Sequence, residues 1–177
     1  VAIVANALLE LKGETLPVVG RGASDQVVMF LPQDVGHRTV IHRTVMGVIE
    51  TALAATAKGK KVYWVGGIDA YQINELQDIY WYAMAAPDRV RNKKLLDDFQ
   101  DYGEYQKMTK ATKDPEMSRA IKIIGSYDSL PDLLTLLRLN TVKEEFGADI
   151  TVSTAHRCKG LEWDNVQPYD DFPDVLD

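Results

Sequence analysis

Between residues 38 and 65 the chain places an amphipathic stretch between two short β-branched, apolar runs, and that order leaves few folds open. Residues 38–42 (RTVIH) and 60–65 (KKVYWV) read as strands. Residues 44–58 carry Val45, Val48, Ile49, Ala52 and Leu53 at helical spacing until Lys58-Gly59 stops them. A strand, helix, strand unit closes almost always by a right-handed crossover with parallel pairing, so an α/β sheet is expected. Residues 26–31 (QVVMFL), bounded by Gly20, Gly22 and Pro32, read as a further strand. Val1, Ile3, Val4, Leu8, Leu9 and Leu11 make an opening helix that Gly13 ends. Residues 149–154 (DITVST) return to the strand pattern, and 165–167 suggest one more after a polar segment.

From Ile73 the period changes. Ile73, Leu76, Ile79, Tyr80 and Met84 share one helical face, and Pro87-Asp88 interrupts it. Leu95/Leu96/Phe99, Met117/Ile121/Ile124 and Leu130/Leu133/Leu134/Leu137 each fit a further stripe, punctuated by Gly103, Asp114-Pro115, Gly125 and Pro131. The economical architecture is one α/β domain built from 1–67 and 149–177, interrupted by an all-helical insertion at 68–148. The chain starts inside an apolar pattern and stops without a closing element, as a piece of a longer protein would.

Composition removes several function classes. Twenty Lys+Arg against 26 Asp+Glu give a net charge of -6, the wrong sign for coating nucleic acid by bulk charge, so any such contact is local. No apolar run approaches the roughly 20 residues a bilayer crossing needs, so no membrane partner is expected. One cysteine, Cys158, forms no internal disulfide, which fits a reducing compartment: cytoplasmic in a bacterium, nuclear if eukaryotic. The chain has no G-x-x-x-x-G-K-[ST], H-E-x-x-H or G-x-S-x-G segment. His37 and His42 flank one strand and read as solvated or satisfied core residues, so no metal site is assigned. Asp97-Asp98, Glu144-Glu145 and Asp170-Asp171 are sequence neighbours, which read as exposed faces rather than acid/base dyads.

Two segments carry candidate chemistry. Gly66-Gly67 follows a buried strand, where backbone amides can approach a phosphate; the same pair serves equally as a flexible exit on which the helical insertion pivots. The segment at 151–164 (TVSTAHRCKGLEWD) gathers Thr154, His156, Arg157, Lys159 and Glu162 within nine positions after a strand, with Gly160 to let the backbone turn. Hydroxyl and imidazole donate to phosphate oxygens, whereas a carboxylate suits a sugar hydroxyl. This segment reads as a phosphate-and-sugar contact loop or as an ordinary solvated connection.

Thr154-x-His156-x-x-Lys159-Gly160-Leu161-Glu162-Trp163-Asp164 resembles motif V of the UvrD/Rep-like superfamily 1 DNA helicases, T-x-H-x-x-K-G-L-E-[FW]. Val65-Gly66-Gly67-Ile68 with Tyr71, Glu75-Leu76 and Asp78 is similar to the family's V-G-G-x-x-F/Y…E-I-x-D, where the second RecA-like domain passes into its helical insertion. Thr39-Val40-Ile41-His42-Arg43-Thr44 is similar to a family strand ending in an R-T pair, although Val45 stands where Asn is common. The insertion, about 80 residues, resembles the F-box DNA helicase branch and its bacterial relatives more than UvrD or Rep.

The resemblance implies a RecA-like parallel sheet with helices on both faces, belonging to an ATP-dependent 3′-to-5′ DNA helicase of the kind used in DNA repair. It implies single-stranded DNA contacts at Arg43, Thr154 and His156. Glu162 would contact the ATP ribose and Gly160 would open a backbone amide to the nucleotide. Lys159 would serve a phosphate or brace the loop, Gly66 and Gly67 would form a hinge, and Trp163 would pack rather than stack on a base. By position the chain would begin after the family's central arginine-bearing motif and end before motif VI. The Walker A lysine, the acidic Mg²⁺ motif and the arginine finger would then lie elsewhere in the parent. ATP and Mg²⁺ are therefore expected with the whole protein and not bound to this part, whose partner is the parent's first RecA-like domain. Alone, it is expected to be inactive as an ATP hydrolase. Two rival readings are a helicase-derived interaction module docking a partner through Leu133/Leu134/Leu137, and a stand-alone nucleotide-binding enzyme using Gly66-Gly67.

Overall fold

The computed structural model describes residues 9–13, 15–17, 19, 28 and 35–172. Of the expected strand at 26–31 only Val28 is described, exposed and outside any strand, and most of the opening helix lies outside the described residues; residues 9–11 are helical, and Gly13 follows at φ 75°. The chain divides into two compact units, Val1–Pro32 and Gln33–Asp177, and the second holds the sheet and the helices that pack on it.

Five parallel strands form that sheet: β1 (Arg38–His42), β2 (Val62–Trp64), β3 (Thr141–Val142), β4 (Ile150–Thr154) and β5 (Val166–Pro168), in the order β3-β2-β4-β1-β5. The central strand β4 (ITVST) is buried along its whole length, β-branched at every position but Ser153, as befits a strand covered on both faces. Helix α1 (Val45–Ala57) packs on β1, β2 and β4 and has eight buried residues, Val48, Ile49, Ala52 and Leu53 at its centre. Thr44 caps it, extended at φ -102°, with its hydroxyl accepting from the Gly47 amide at 3.0 Å. A parallel sheet flanked by helices is the α/β architecture that the sequence pattern implies, and it is consistent with the RecA-like fold that the resemblance implies.

Helices α2 (Ile73–Ala83), α3 (Lys93–Asp98), α4 (Tyr102–Thr112), α5 (Pro115–Ser126) and α6 (Leu130–Asn140) follow β2 in unbroken series. Helices α5 and α6 lie against α1, so α1 sits between the sheet and the helical segment, and one core runs through both. Leu134 and Leu137 are buried there beside Leu130, and Leu133 packs half-buried against the same core. The leucine stripe considered as a docking face is therefore internal packing, because α6 turns it onto α1.

The helical stretch is also shorter than its expected limits. Thr141–Val142 already forms a parallel edge strand on β2, and the Trp64 indole donates to the Thr141 hydroxyl at 3.1 Å. Two β-branched residues carry too little pattern to announce a strand on their own. Among the basic residues of this segment, Arg89 lies over the Trp81 ring at 4.5 Å and Arg91 pairs with Asp78 at 3.3 Å.

Candidate functional site

All five strands run the same way, so the loops leaving their C-terminal ends gather along one edge of the sheet. In the β1–β4 register His42 stands opposite Thr154, and the Ala155 amide donates to the His42 carbonyl at 2.8 Å. Arg43 and the 154–160 turn are neighbours for that reason. The amides of Arg157 and Cys158 both donate to the Thr154 carbonyl, at 3.0 and 3.2 Å, which turns the chain sharply at the end of the strand. His156, Lys159 and Arg43 are exposed on this edge, while Thr154 is only 6% exposed. With Arg157 they form a local positive stretch on an acidic chain.

On the same edge Gly66 and Gly67 take φ of 85° and 83°, left-handed values that favour glycine. A Cβ on Gly66 would stand 3.2 Å from an Arg157 guanidinium nitrogen. The glycines border a hollow of about 340 Å³ floored by Tyr63, Trp64 and Val142, with Lys143 among its lining residues.

The segment that starts at this edge ends at the other. Glu162 lies beside the N-terminal end of β1, lining a hollow of about 520 Å³ with His37, Glu145, Phe146 and Trp163. β1 has five residues, about 16 Å at the parallel rise, so the cationic turn and Glu162 are separated by the length of a strand. Gly160, at φ 80°, begins the crossing. The hollow is acidic, with Glu145, Glu162 and Asp164 in its wall, so it receives hydroxyl donors better than phosphate. Its base is a chain of hydrogen bonds. Thr151 donates its hydroxyl to Glu145, so the His37 Nε2, 2.8 Å away, is the donor to Thr151. The Trp163 indole also donates to Glu145, at 2.7 Å, which holds that ring against the body. Phe146 stands fully exposed at the rim. Among the described residues no group of three His, Cys, Asp or Glu side chains is placed to hold a metal ion.

Two assignments from sequence need correction. Asp171 is not part of an exposed acidic face: its side chain is 2% exposed and takes the Arg43 and Thr44 amides at 2.9 and 3.0 Å. Glu145 is likewise half-buried and engaged. Adjacent carboxylates divide here because one closes a helix end and its neighbour, Asp170, faces solvent, 86% exposed.

Three features of the edge had no motif. His42 is fully buried, both ring nitrogens lack a hydrogen-bond partner, and burial pushes its pKa down to about 4 although Asp171 lies 3.6 Å away. Glu116, at the start of α5, accepts the Val45 and Met46 amides at 2.6 and 2.7 Å. Arg157 donates to the Ala70 carbonyl at 3.1 Å. Each joins residues 70 or more positions apart, beyond the reach of any local pattern. The Asp114-Pro115 break before α5 was visible in the sequence, but it marks a helix end rather than a contact.

Beyond this geometry, the curated proteins to which the chain is similar include two F-box DNA helicases. It is 28% identical over 151 residues to F-box DNA helicase 1 of Gallus gallus, an alignment covering 79% of this chain and 15% of that protein. It is 28% identical over 196 residues to F-box DNA helicase protein 1 of Schizosaccharomyces pombe, covering all of this chain and 22% of that protein. The chain thus spans about a fifth or less of the length of these relatives. No protein-family model matches it. No solved structure matches it. The likeness marks a helicase-related region.

Proposed function

We propose that this chain is the second RecA-like motor domain, with its helical insertion, of an ATP-dependent DNA helicase that translocates 3′ to 5′. The observation that carries the reading is the His42–Thr154 register, which sets Arg43 beside His156 and Lys159 on one edge while the same loop delivers Glu162 to the other. Arg43 and His156 donate to phosphate oxygens of a single strand, with Thr154 beneath them shaping the turn and offering its hydroxyl. Glu162 accepts from the ribose hydroxyls of ATP, and Gly160 leaves the backbone open to the nucleotide. Lys159 serves a phosphate or braces the turn. Gly66-Gly67 provides the pivot into the helices. A loop that touches both ligands transmits the nucleotide state to the strand as a shift of one segment.

This domain holds one wall of the ATP site. The phosphate cradle and Mg²⁺ ligands belong to a first RecA-like domain, so the chain alone hydrolyses no ATP. The test is reconstitution with that domain. DNA-stimulated hydrolysis is expected to appear, with Glu162→Ala raising the KM for ATP and His156→Ala weakening the single-strand affinity. Unchanged nucleotide affinity in Glu162→Ala would count decisively against the assignment.

A further inference from the structure

The turn carrying His156 is anchored by a residue to which the helicase motif gives no role. The Arg157 guanidinium donates to the Ala70 carbonyl at 3.1 Å and lies over the Tyr71 ring at 5.2 Å. Tyr71 is fully buried; its hydroxyl donates to the Val65 carbonyl at 2.7 Å, and its ring packs on Trp64 at 5.1 Å. The short 3-10 turn Ile68–Tyr71 is the entry from the sheet into the helical segment. Gly66 lies under the same guanidinium: its φ of 85° favours glycine, and a Cβ there would stand 3.2 Å from Nη1.

We propose that Arg157 is a positioning residue that clips the 154–160 turn to the Gly66–Tyr71 turn, so that the strand-contacting loop and the root of the helical segment move together. The two turns leave neighbouring strands, β4 and β2, and Arg157 joins them beyond the last paired residues, Trp64 and Val152. A guanidinium supplies what the link needs: directed donors for a carbonyl and a planar face for a ring. Displacement of the helices about Gly66-Gly67 pulls on Ala70 and Tyr71, and through Arg157 moves His156. The inference rests on the proposed strand contact at His156 for its consequence, though not for the clip itself.

The full chain tests it in two measurements. In hydrogen exchange, Arg157→Ala is expected to speed the amides of positions 157 and 158 together with those of Gly67 and Ala70, and Arg157→Lys, which lacks the planar face, to restore little of the protection. Acceleration confined to Arg157 and Cys158 overturns the clip. In anisotropy with a labelled oligothymidine, Arg157→Ala and Tyr71→Leu are each expected to weaken binding about fivefold, and the double variant no further. The salt slope should stay unchanged. Overturning results are a silent Tyr71→Leu and a slope that falls by about 0.7 in Arg157→Ala, because Arg157 would then touch a phosphate itself. If the wild-type chain fails to hold the oligonucleotide, the strand-contact reading fails and the exchange experiment alone decides the clip.

Discussion

Asp171 accepts both the amide and the hydroxyl of Thr44, at 3.0 and 2.6 Å, across 127 residues of chain. Its other oxygen takes the Arg43 amide. With Glu116 on the Val45 and Met46 amides and the Thr44 hydroxyl on Gly47, the donors at the start of α1 are all paired without water. The residue proposed to touch DNA is thus held from behind by a carboxylate after β5 and another from the helical segment. Burial works to raise the Asp171 pKa, but the Thr44 hydroxyl and the two amides outweigh it and hold the carboxyl below its usual range.

Asp171→Asn keeps the shape and turns one acceptor into a donor facing N–H and O–H groups. Urea unfolding should show a loss of about 1–3 kcal/mol, larger than for Asp170→Asn, whose side chain is in solvent. Equal effects of the two substitutions would contradict the buried cap.

At Gly47 helix propensity and packing disagree in sign. Alanine is favoured over glycine inside a helix by about 1 kcal/mol. Its Cβ, however, would stand 2.6 Å from the Asp171 carboxylate and 2.7 Å from the Thr44 hydroxyl. Those groups are pinned by the cap, so Gly47→Ala should destabilise by about 1–3 kcal/mol, read as a drop in Tm. A rise in Tm would mean the cap yields.

Glu116→Gln leaves one oxygen for two amides and points an NH₂ at the second. The expected cost is about 1–3 kcal/mol by denaturant titration. Glu116→Asp, too short to span both donors, should fall between wild type and Gln.

Acid should weaken the fold through His42. Its ordinary value is 6.5 and its value in the fold about 4, so the unfolded chain takes up the proton first. The contribution is complete above pH 6.5 and lost as pH falls toward 4, the loss reaching about 2 kcal/mol at pH 5. Asp171 faces the ring at 3.6 Å, Arg119 and Glu50 act on it from farther away, and Asp171, also depressed, adds its own loss only below 3.8. His42→Leu should flatten stability between pH 7 and 5. A slope unchanged in that variant would place the titration elsewhere.

Residues 38–65 were legible because their chemistry is local: the β-branched runs, the helical spacing and the Lys58-Gly59 stop correspond to β1, α1 and β2 within two residues at each end. The helical character from Ile73 onward was equally plain, since Leu76, Ile79, Leu134 and Leu137 recur at the helical period and are all buried. Strand β3 was not, because two residues paired with Val62 and Tyr63 owe their conformation to that partner. The polar loop at 154–164 was visible as a dense cluster, but nothing in its spacing said that it crosses from one edge of the sheet to the other.

Amphipathic period, strand composition and the residues able to donate to phosphate or accept from a sugar are properties of neighbouring positions, and the chain alone settled them. Which carboxylate closes α1, why position 47 is glycine, where Arg157 reaches and what surrounds His42 depend on groups 70 to 129 residues apart. Those contacts exist only after parallel pairing aligns the strand ends, because hydrogen bonds act over about 3 Å and carry no trace in the local pattern of either partner.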